Sequence, residues 1–177
     1  PSPSRELWEW KKSQEQYRDK NPLSFQLNGR ELSLVSQPQQ EQDVVALFHE
    51  LVGLGTLKGL KFFATSSHDM YDSLFLCDYH DRSEFVFDRE NRPFGVAEQF
   101  AANHSSEPKV LEYKHSFDSL VDDFDKEMKF ETHIDLVVCW TAGNKFKSRY
   151  FFSSLLVGDE GTSREVFGAT HQVFRDG

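Results

Sequence analysis

The stretch KVLEYKHS contains a carboxylate and an amine at a spacing that could support chemistry. If it forms a strand, side chains two residues apart lie on one face, so Glu112 and Lys114 stand together while Leu111 and Tyr113 face the other side. A carboxylate can bind a divalent cation, and a neighbouring amine can orient a water molecule or stabilise negative charge. The alternative is an ion pair on the solvent-exposed face of an ordinary strand.

Four tripeptides in the chain have an acidic residue two positions before a lysine, so their context must distinguish them. Those that begin at Glu9 and Glu127 fall in segments with helical patterns, and the one that begins at Glu107 contains a proline. The tripeptide from Glu112 to Lys114 lies in an extended apolar segment, which a helix and a buried strand follow. Glu112 and Lys114 are therefore the candidate pair whose context fits a strand, and the surface ion pair stays the alternative interpretation.

Residues 1–42 are predicted to form a small N-terminal unit, separate from a main domain over residues 43–177. The segment RELWEWKKSQEQYRDK has helical composition and ends before Pro22, because the residue preceding a proline disfavours helix. The next segment indicates a hairpin whose turn is Asn28-Gly29, a dipeptide that favours tight turns between strands. A polar run, SQPQQEQD, leads into the main domain.

The main domain is predicted to be of the α/β class, with a mixed central sheet flanked by helices. A helix with Asp43 as its N-cap comes first, and strands at 57–67 and 71–79 follow it. Residues 81–108 are interpreted as a short strand, SEFVF, and a surface insertion. The strand KVLEYKHS follows, and then the helix FDSLVDDFDKEMKF, with Met128 on its apolar side. The next segment, HIDLVVCW, is apolar throughout and is predicted to be a central strand that is buried on both faces. Later strands are predicted in KFKSRYFFSSLLV and SREVFGATHQVF.

This order of elements, with Asp72 in YDSLF and Glu112-Tyr113-Lys114 on a later strand, resembles the core of the PD-(D/E)XK, or restriction-endonuclease-like, nuclease superfamily. The resemblance covers residues 43–140 and leaves the N-terminal unit and the C-terminal strands outside it. The sequence departs from the family where Tyr71 precedes Asp72, a position at which the family often has proline.

The resemblance implies a metal site. Asp72 and Glu112 would bind Mg²⁺ or Mn²⁺, with the backbone carbonyl of Tyr113 as a third oxygen ligand. Lys114 would orient or deprotonate the attacking water and stabilise charge in the transition state. A glutamate on the first helix often joins this site in the family, and Glu50 in LFHEL is assigned to that role.

Lys145, Lys147 and Arg149 alternate along a predicted strand, which would align three cations on one face as a track for nucleic-acid phosphates. A charged edge strand is the alternative interpretation. The formal net charge of −9 argues against bulk electrostatic attraction to nucleic acid, since such binding depends on cations that neutralise phosphates. Binding would therefore need a local basic strip or a metal site.

Two cysteines without metal-ligand spacing predict reduced thiols and an intracellular protein, cytoplasmic or nuclear. The sequence shows neither a secretion signal nor a long apolar segment, so no membrane partner is expected. The chain begins at Pro1 and ends directly after a strand-like segment, which suggests a domain of a larger protein. The expected partners are nucleic acid, with DNA favoured over RNA, other domains of that parent chain, and a second copy in a homodimer.

These observations predict an enzyme that hydrolyses phosphodiester bonds in nucleic acid with Mg²⁺ or Mn²⁺. The alternative is a nuclease-derived module without activity that serves as a protein-interaction or assembly domain, which the acidic charge and the short motif favour. A third interpretation is a sheet-based RNA-binding domain, for which KFKSRYFF is the supporting segment. Convergence of Asp72, Glu112 and Lys114 in space would favour the enzyme over the other two.

Overall fold

The computed structural model describes residues 2–27, 29–66, 70–80, 83–102, 106–155 and 164–174. Within them the chain has a mixed α/β structure, as predicted. The helices are α1 (Pro3–Lys20), α2 (Glu41–Gly53), α3 (Glu98–Ala101), α4 (Phe117–Asp125) and α5 (Lys145–Arg149). The strands are β1 (Gln26–Leu27), β2 (Arg30–Glu31), β3 (Leu60–Thr65), β4 (Ser73–Cys77), β5 (Lys109–Ser116), β6 (Leu136–Thr141), β7 (Phe151–Ser154) and β8 (His171–Phe174).

A four-stranded sheet in the order β3-β4-β5-β6 forms the centre of the fold. Strand β4 is antiparallel to both β3 and β5, and β5 is parallel to β6. Parallel neighbours need a crossover connection, and α4 supplies it between β5 and β6. Two small sheets, β1-β2 and β7-β8, have two strands each.

The hydrophobic core lies between α2 and one face of the central sheet. Phe48 of α2 is buried and makes edge-to-face ring contacts with Phe62 on β3 and Tyr113 on β5. Leu111, which shares the Tyr113 face of β5, is fully buried. Because side chains alternate along a strand, the intervening Glu112 points to the opposite face.

Helix α2 begins earlier than predicted. Asp43, the predicted N-cap, lies inside the helix, and its carboxylate accepts hydrogen bonds from the backbone N–H groups of Gln39 and Gln40 at 2.9 and 3.3 Å. Gln40 is the N-cap, so Glu41 belongs to the first turn. Carboxylates are stabilised at that end of a helix by the helix dipole.

The prediction that HIDLVVCW is a central strand is wrong. Strand β6 lies at the edge of the sheet, its apolar residues are only half-buried, and Trp140 near its end is 38% exposed. An open apolar groove runs beside it, with walls that include Phe124 of α4, Phe146 of α5 and Phe174 of β8. The continuous apolar sequence reflects this groove rather than burial between two layers.

Residues 83–102 also depart from the prediction. The segment SEFVF begins as a short 3-10 helix at Ser83–Phe85, and Val86 makes an isolated bridge with Val96 instead of joining a strand. The following segment is more than a surface insertion, because Val96 and Ala101 are buried and belong to the hydrophobic core.

The N-terminal helix and hairpin form as predicted, with Asn28 of the turn outside the described residues. Helix α1 begins after Ser2, whose hydroxyl accepts a hydrogen bond from the backbone N–H of Arg5 at 3.2 Å. The linker reaches the central sheet, since Pro38 is fully buried and its carbonyl lies 2.8 Å from His115 Nε2. The domain boundary at residue 42 stays a prediction.

Candidate functional site

Asp72 and Glu112 lie side by side where strand β4 begins. The pairing of β4 with β5 sets Ser73 opposite Leu111, which places the preceding Asp72 opposite Glu112. The backbone N–H of Asp72 donates to Glu112 Oε1 at 3.1 Å, and the backbone N–H of Tyr113 donates to Asp72 Oδ2 at 2.9 Å. These reciprocal hydrogen bonds hold Asp72, just before β4, against Glu112 and Tyr113 of β5.

Tyr113 contributes its backbone to this site and its side chain to the core. In a strand the N–H and C=O of one residue point to the same neighbour, so the Tyr113 carbonyl faces the Asp72 side together with its N–H. The ring packs against Phe48 on the other face, and its hydroxyl lies 3.3 Å from His49 Nε2. Burial raises the pKa of the Tyr113 hydroxyl, which keeps this group neutral.

Glu112 is fully buried, and its Oε2 forms an ion pair with the ammonium of Lys129. The end of α4 positions this lysine. The backbone N–H of Met128 donates to the Asp123 carbonyl at 2.9 Å, and Glu127 has a φ of 56°, a left-handed conformation that commonly terminates helices. The chain therefore turns back toward the sheet, and Met128, predicted to pack on the apolar side of the helix, is 59% exposed.

Lys114 lies on the same face of β5 as Glu112 but has a different partner. Its Nζ is 2.7 Å from Asp123 Oδ2 on α4, and each of the two side chains is 18% exposed. The simple alternative of a Glu112–Lys114 surface pair is therefore replaced by two separate pairs, Lys114 with Asp123 and Glu112 with Lys129. The Lys129 ammonium therefore lies at Glu112, and the Lys114 ammonium lies at Asp123.

Another glutamate of α2, Glu41, is close enough to these residues for their charges to act on it, and the sequence interpretation did not name it. Burial raises the pKa of Glu41, and the neighbouring Asp72 raises it further, while Lys114 and Lys129 act in the opposite direction. These influences place Glu41 within electrostatic reach of the carboxylates and amines. We refer to the whole group as the sheet cluster, which consists of Glu41, Asp72, Glu112, Lys114, Asp123 and Lys129.

The structure does not bring Glu50, the predicted helix ligand, to the sheet cluster. Its carboxylate accepts hydrogen bonds from the backbone N–H of Ser33 at 2.9 Å and from the Ser33 hydroxyl, and these bonds lower the pKa of Glu50. Glu50 and Glu41 are nine residues apart on α2. At about 100° and 1.5 Å per residue they lie on opposite sides of the helix and about 13 Å apart along it. Glu50 thus anchors the N-terminal segment instead.

The predicted phosphate track of Lys145, Lys147 and Arg149 does not form. These residues lie on helix α5 rather than on a strand, so residues two apart do not share a face. Lys145 pairs with Asp122 and Arg149 pairs with Asp125, both on α4. The same correction removes KFKSRYFF as a basic strand for RNA.

The contacts between α4 and α5 begin at a backbone cap. The Asp118 carboxylate accepts hydrogen bonds from the backbone N–H groups of Asn144 and Lys145, at 3.1 and 2.9 Å. The carboxylates of α4 therefore hold the start of α5 as well as its cations. We call this second group the helix cluster, which consists of Asp118, Asp122, Asp125, Lys145 and Arg149.

Among the described residues, no three histidine, cysteine, aspartate or glutamate side chains are grouped so that they could hold a metal ion by themselves. A metal at the sheet cluster would thus rely on Asp72, Glu112 and a backbone carbonyl. Within the same part of the chain, none of the helices has the length and apolar character that crossing a membrane requires. No family model, curated protein or solved structure matches this chain.

Proposed function

We propose that this chain is a metal-dependent nuclease domain with a restriction-endonuclease-like core, which hydrolyses phosphodiester bonds in nucleic acid, DNA in preference to RNA. The observation that carries the proposal is the pair of reciprocal hydrogen bonds between Asp72 and the Glu112-Tyr113 segment. The order α2-β3-β4-β5-α4-β6, with three antiparallel strands followed by a parallel one, supports the same assignment.

The residues of the sheet cluster fit Mg²⁺ or Mn²⁺. Mg²⁺ takes oxygen ligands and retains several waters, so one or two carboxylates suffice to bind it. Asp72 and Glu112 would hold it, with the Tyr113 carbonyl as a third oxygen. The Lys129 ammonium shows that the Glu112 carboxylate takes a cationic partner, with which a metal ion would have to compete. The cluster has four carboxylates and two amines, an imbalance that favours a further cation.

Each residue then has a defined task. A bound metal supplies positive charge that stabilises the phosphate oxygens in the transition state. Lys114 orients the attacking water and adds its own charge to that stabilisation, while Asp123 holds the Lys114 ammonium 2.7 Å away. Glu41 accepts a hydrogen bond from a water at the site. Lys129 would have to leave Glu112 Oε2 before that carboxylate could bind a metal.

One observation favours the alternative, an inactive nuclease-derived module that acts as an interaction or assembly domain of a larger protein. Both oxygens of the Glu112 carboxylate already have partners, Oε1 with the Asp72 N–H and Oε2 with Lys129. Such a closed network can hold a sheet together without any metal. In that case Asp72 and Glu112 serve only as acceptors for each other's strands.

The test combines cleavage and metal binding. Wild type, Glu112→Ala, Glu112→Gln and Lys114→Ala are incubated with supercoiled plasmid, single-stranded DNA and RNA in Mg²⁺ or Mn²⁺, and each is titrated with metal by calorimetry. Both Glu112 variants should lose metal binding and cleavage together. Lys114→Ala should retain metal binding and lose about 10²-fold or more in cleavage rate, because it acts on the water and the transition state.

Asp122→Ala is the matched control, since it removes a carboxylate of α4 that lies in the helix cluster. It should cleave and bind metal as the wild type does. A wild type that binds no divalent metal at millimolar concentration and cuts none of the three substrates would replace the enzyme with the interaction module.

A further inference from the structure

Three aromatic side chains form an ordered group beside the sheet cluster. The Tyr71 hydroxyl lies 2.8 Å from His133 Nδ1 and accepts a hydrogen bond from the backbone N–H of Phe130 at 3.2 Å. The rings of Tyr71 and Phe130 each meet the His133 ring edge to face, with centroids 5.7 and 5.4 Å away. We call Tyr71, Phe130 and His133 the aromatic patch.

The patch is joined to the sheet cluster through the chain itself. Tyr71 immediately precedes Asp72, and Phe130 immediately follows Lys129, which pairs with Glu112. The hydrogen bond between Phe130 and Tyr71 therefore ties together the two segments that carry these cluster residues. The aromatic patch therefore adjoins the sheet cluster at both segments.

The patch is also open to solvent. Phe130 is 44% exposed and His133 is exposed. Met70 and Met128, the sequence neighbours of Tyr71 and Lys129, are 52% and 59% exposed. Contiguous exposed apolar side chains mark binding surfaces more often than scattered ones do.

Charge argues for stacking as the main source of affinity at this surface. The chain has a formal net charge of −9. On helix α5, Lys145 and Arg149 are each paired with an aspartate. The acidic charge balance therefore makes neutralisation of a long phosphate backbone a weak source of affinity. Aromatic rings bind unpaired bases irrespective of sequence, because every base has a π face to stack.

We propose that the aromatic patch binds unpaired bases of single-stranded nucleic acid, with Phe130 and His133 as the stacking surface and Tyr71 holding the histidine ring. This inference rests on the proposed function, because it takes the sheet cluster as the phosphodiester site and names its substrate as a single strand or an unpaired junction. A continuous duplex keeps its bases stacked inside and offers none to the patch.

Fluorescence anisotropy tests this proposal. The labelled ligands are a 12-nucleotide single strand, as DNA and as RNA, and the matched 12-base-pair DNA duplex. The titrations are done in EDTA, so that no cleavage occurs. Wild type should bind the single strands at least about tenfold more tightly than the duplex. Phe130→Ala should weaken single-strand binding by about 5- to 150-fold, the range of one base–aromatic stack. Phe130→Trp should retain binding, because it keeps an aromatic face.

The control is Phe25→Ala, which removes a phenylalanine that is 54% exposed in the N-terminal hairpin. It should bind like wild type, and thermal unfolding should give equal midpoints for the Phe25 and Phe130 variants and the wild type. Equal affinity for single strand and duplex, or an unchanged affinity in Phe130→Ala, would overturn the inference.

Two further outcomes separate the inference from the proposed function. Cleavage of plasmid in Mg²⁺ with no single-strand binding in EDTA would overturn the patch and leave the nuclease. Single-strand binding that depends on Phe130, without cleavage of any substrate, would support the patch and point to a binding module that has lost catalysis.

Discussion

The sheet cluster and the helix cluster are built from the same kinds of side chain in different surroundings. In the sheet cluster Glu112 is fully buried, and Asp72 and Glu112 accept backbone hydrogen bonds from opposite strands. In the helix cluster the Lys145 and Asp122 side chains are 48% and 43% exposed. Water can solvate the second pair if it breaks, whereas a buried carboxylate has no such replacement.

This difference separates two uses of charge. The helix cluster joins α5 to α4, and its cations are matched to the carboxylates opposite them. The sheet cluster holds carboxylates in excess at the meeting point of two strands, where burial raises the pKa of Glu41 and repulsion from Asp72 raises it further. Perturbed pKa values cluster at functional sites, although structural ion-pair networks also produce them. Substitutions in the two clusters can therefore test the distinction.

The largest effect is expected for Glu112→Ala. It leaves the Lys129 ammonium without its carboxylate and the Asp72 N–H without its acceptor. Breaking a buried ion pair by removing one partner costs about 3–5 kcal/mol in the free energy of unfolding, measured by chemical denaturation. Asp122→Ala should have a far smaller effect. Similar small changes in both variants would show that the two clusters do not differ in burial as described.

The next effect concerns Lys129→Met, which removes the cation paired with Glu112 and keeps the length of the side chain. A unit charge about 4 Å from a carboxylate contributes about 4 kcal/mol at an effective dielectric constant of about 20, so losing this competitor should tighten Mn²⁺ binding by about tenfold or more. Calorimetry measures the affinity, and Lys126→Met, an exposed lysine at the end of α4, is the control. Weaker Mn²⁺ binding in Lys129→Met would mean that Lys129 supports the metal instead of competing with it.

A smaller, pH-dependent effect is expected for Glu41→Gln without metal. Because the folded state raises the pKa of Glu41, it binds this proton more tightly than the unfolded state does. Folding stability from this group is therefore lost as the pH rises through and above the ordinary glutamate range. The glutamine variant lacks that loss, so its Tm relative to wild type should be higher at pH 7 than at about pH 4. A difference in Tm that is constant with pH would contradict the assignment.

The sequence predicted the parts of the site that depend on local pattern. Strand β5 has the predicted bounds because apolar residues and its alternation define it, and the pairing of β4 with β5 places Asp72 beside Glu112. Glu50 was assigned to the site, and Glu41 was overlooked, because the sequence offers acidic residues at both ends of α2. Which end meets the start of β4 is set by tertiary packing, and local periodicity carries no information about it.

The misassigned basic strip has a similar cause. KFKSR alternates in charge like a strand, yet Asp118, 26 residues earlier than Asn144, caps the segment as a helix. Lys129 was overlooked because it follows the end of a helix, where the turn at Glu127 decides its direction. Contacts between residues far apart in the sequence decide where a side chain points, and a short motif gives no information about such contacts.

The smallest expected effect belongs to the helix cluster, in Lys145→Met. Its partner Asp122 has a pKa lowered by the hydrogen bond from Lys145. A lowered carboxylate pKa stabilises the fold above the ordinary aspartate range, and this stabilisation is lost as the pH falls below about 4. Since the pair is exposed, about 1 M salt should also screen it, because the Debye length is then about 3 Å. The Tm of Lys145→Met should thus be slightly below that of wild type at pH 7 in low salt, and equal to it at low pH or in high salt. If the Tm of Lys145→Met stays below that of wild type in high salt, solvent does not replace this ion pair, and the pair then resembles those of the sheet cluster.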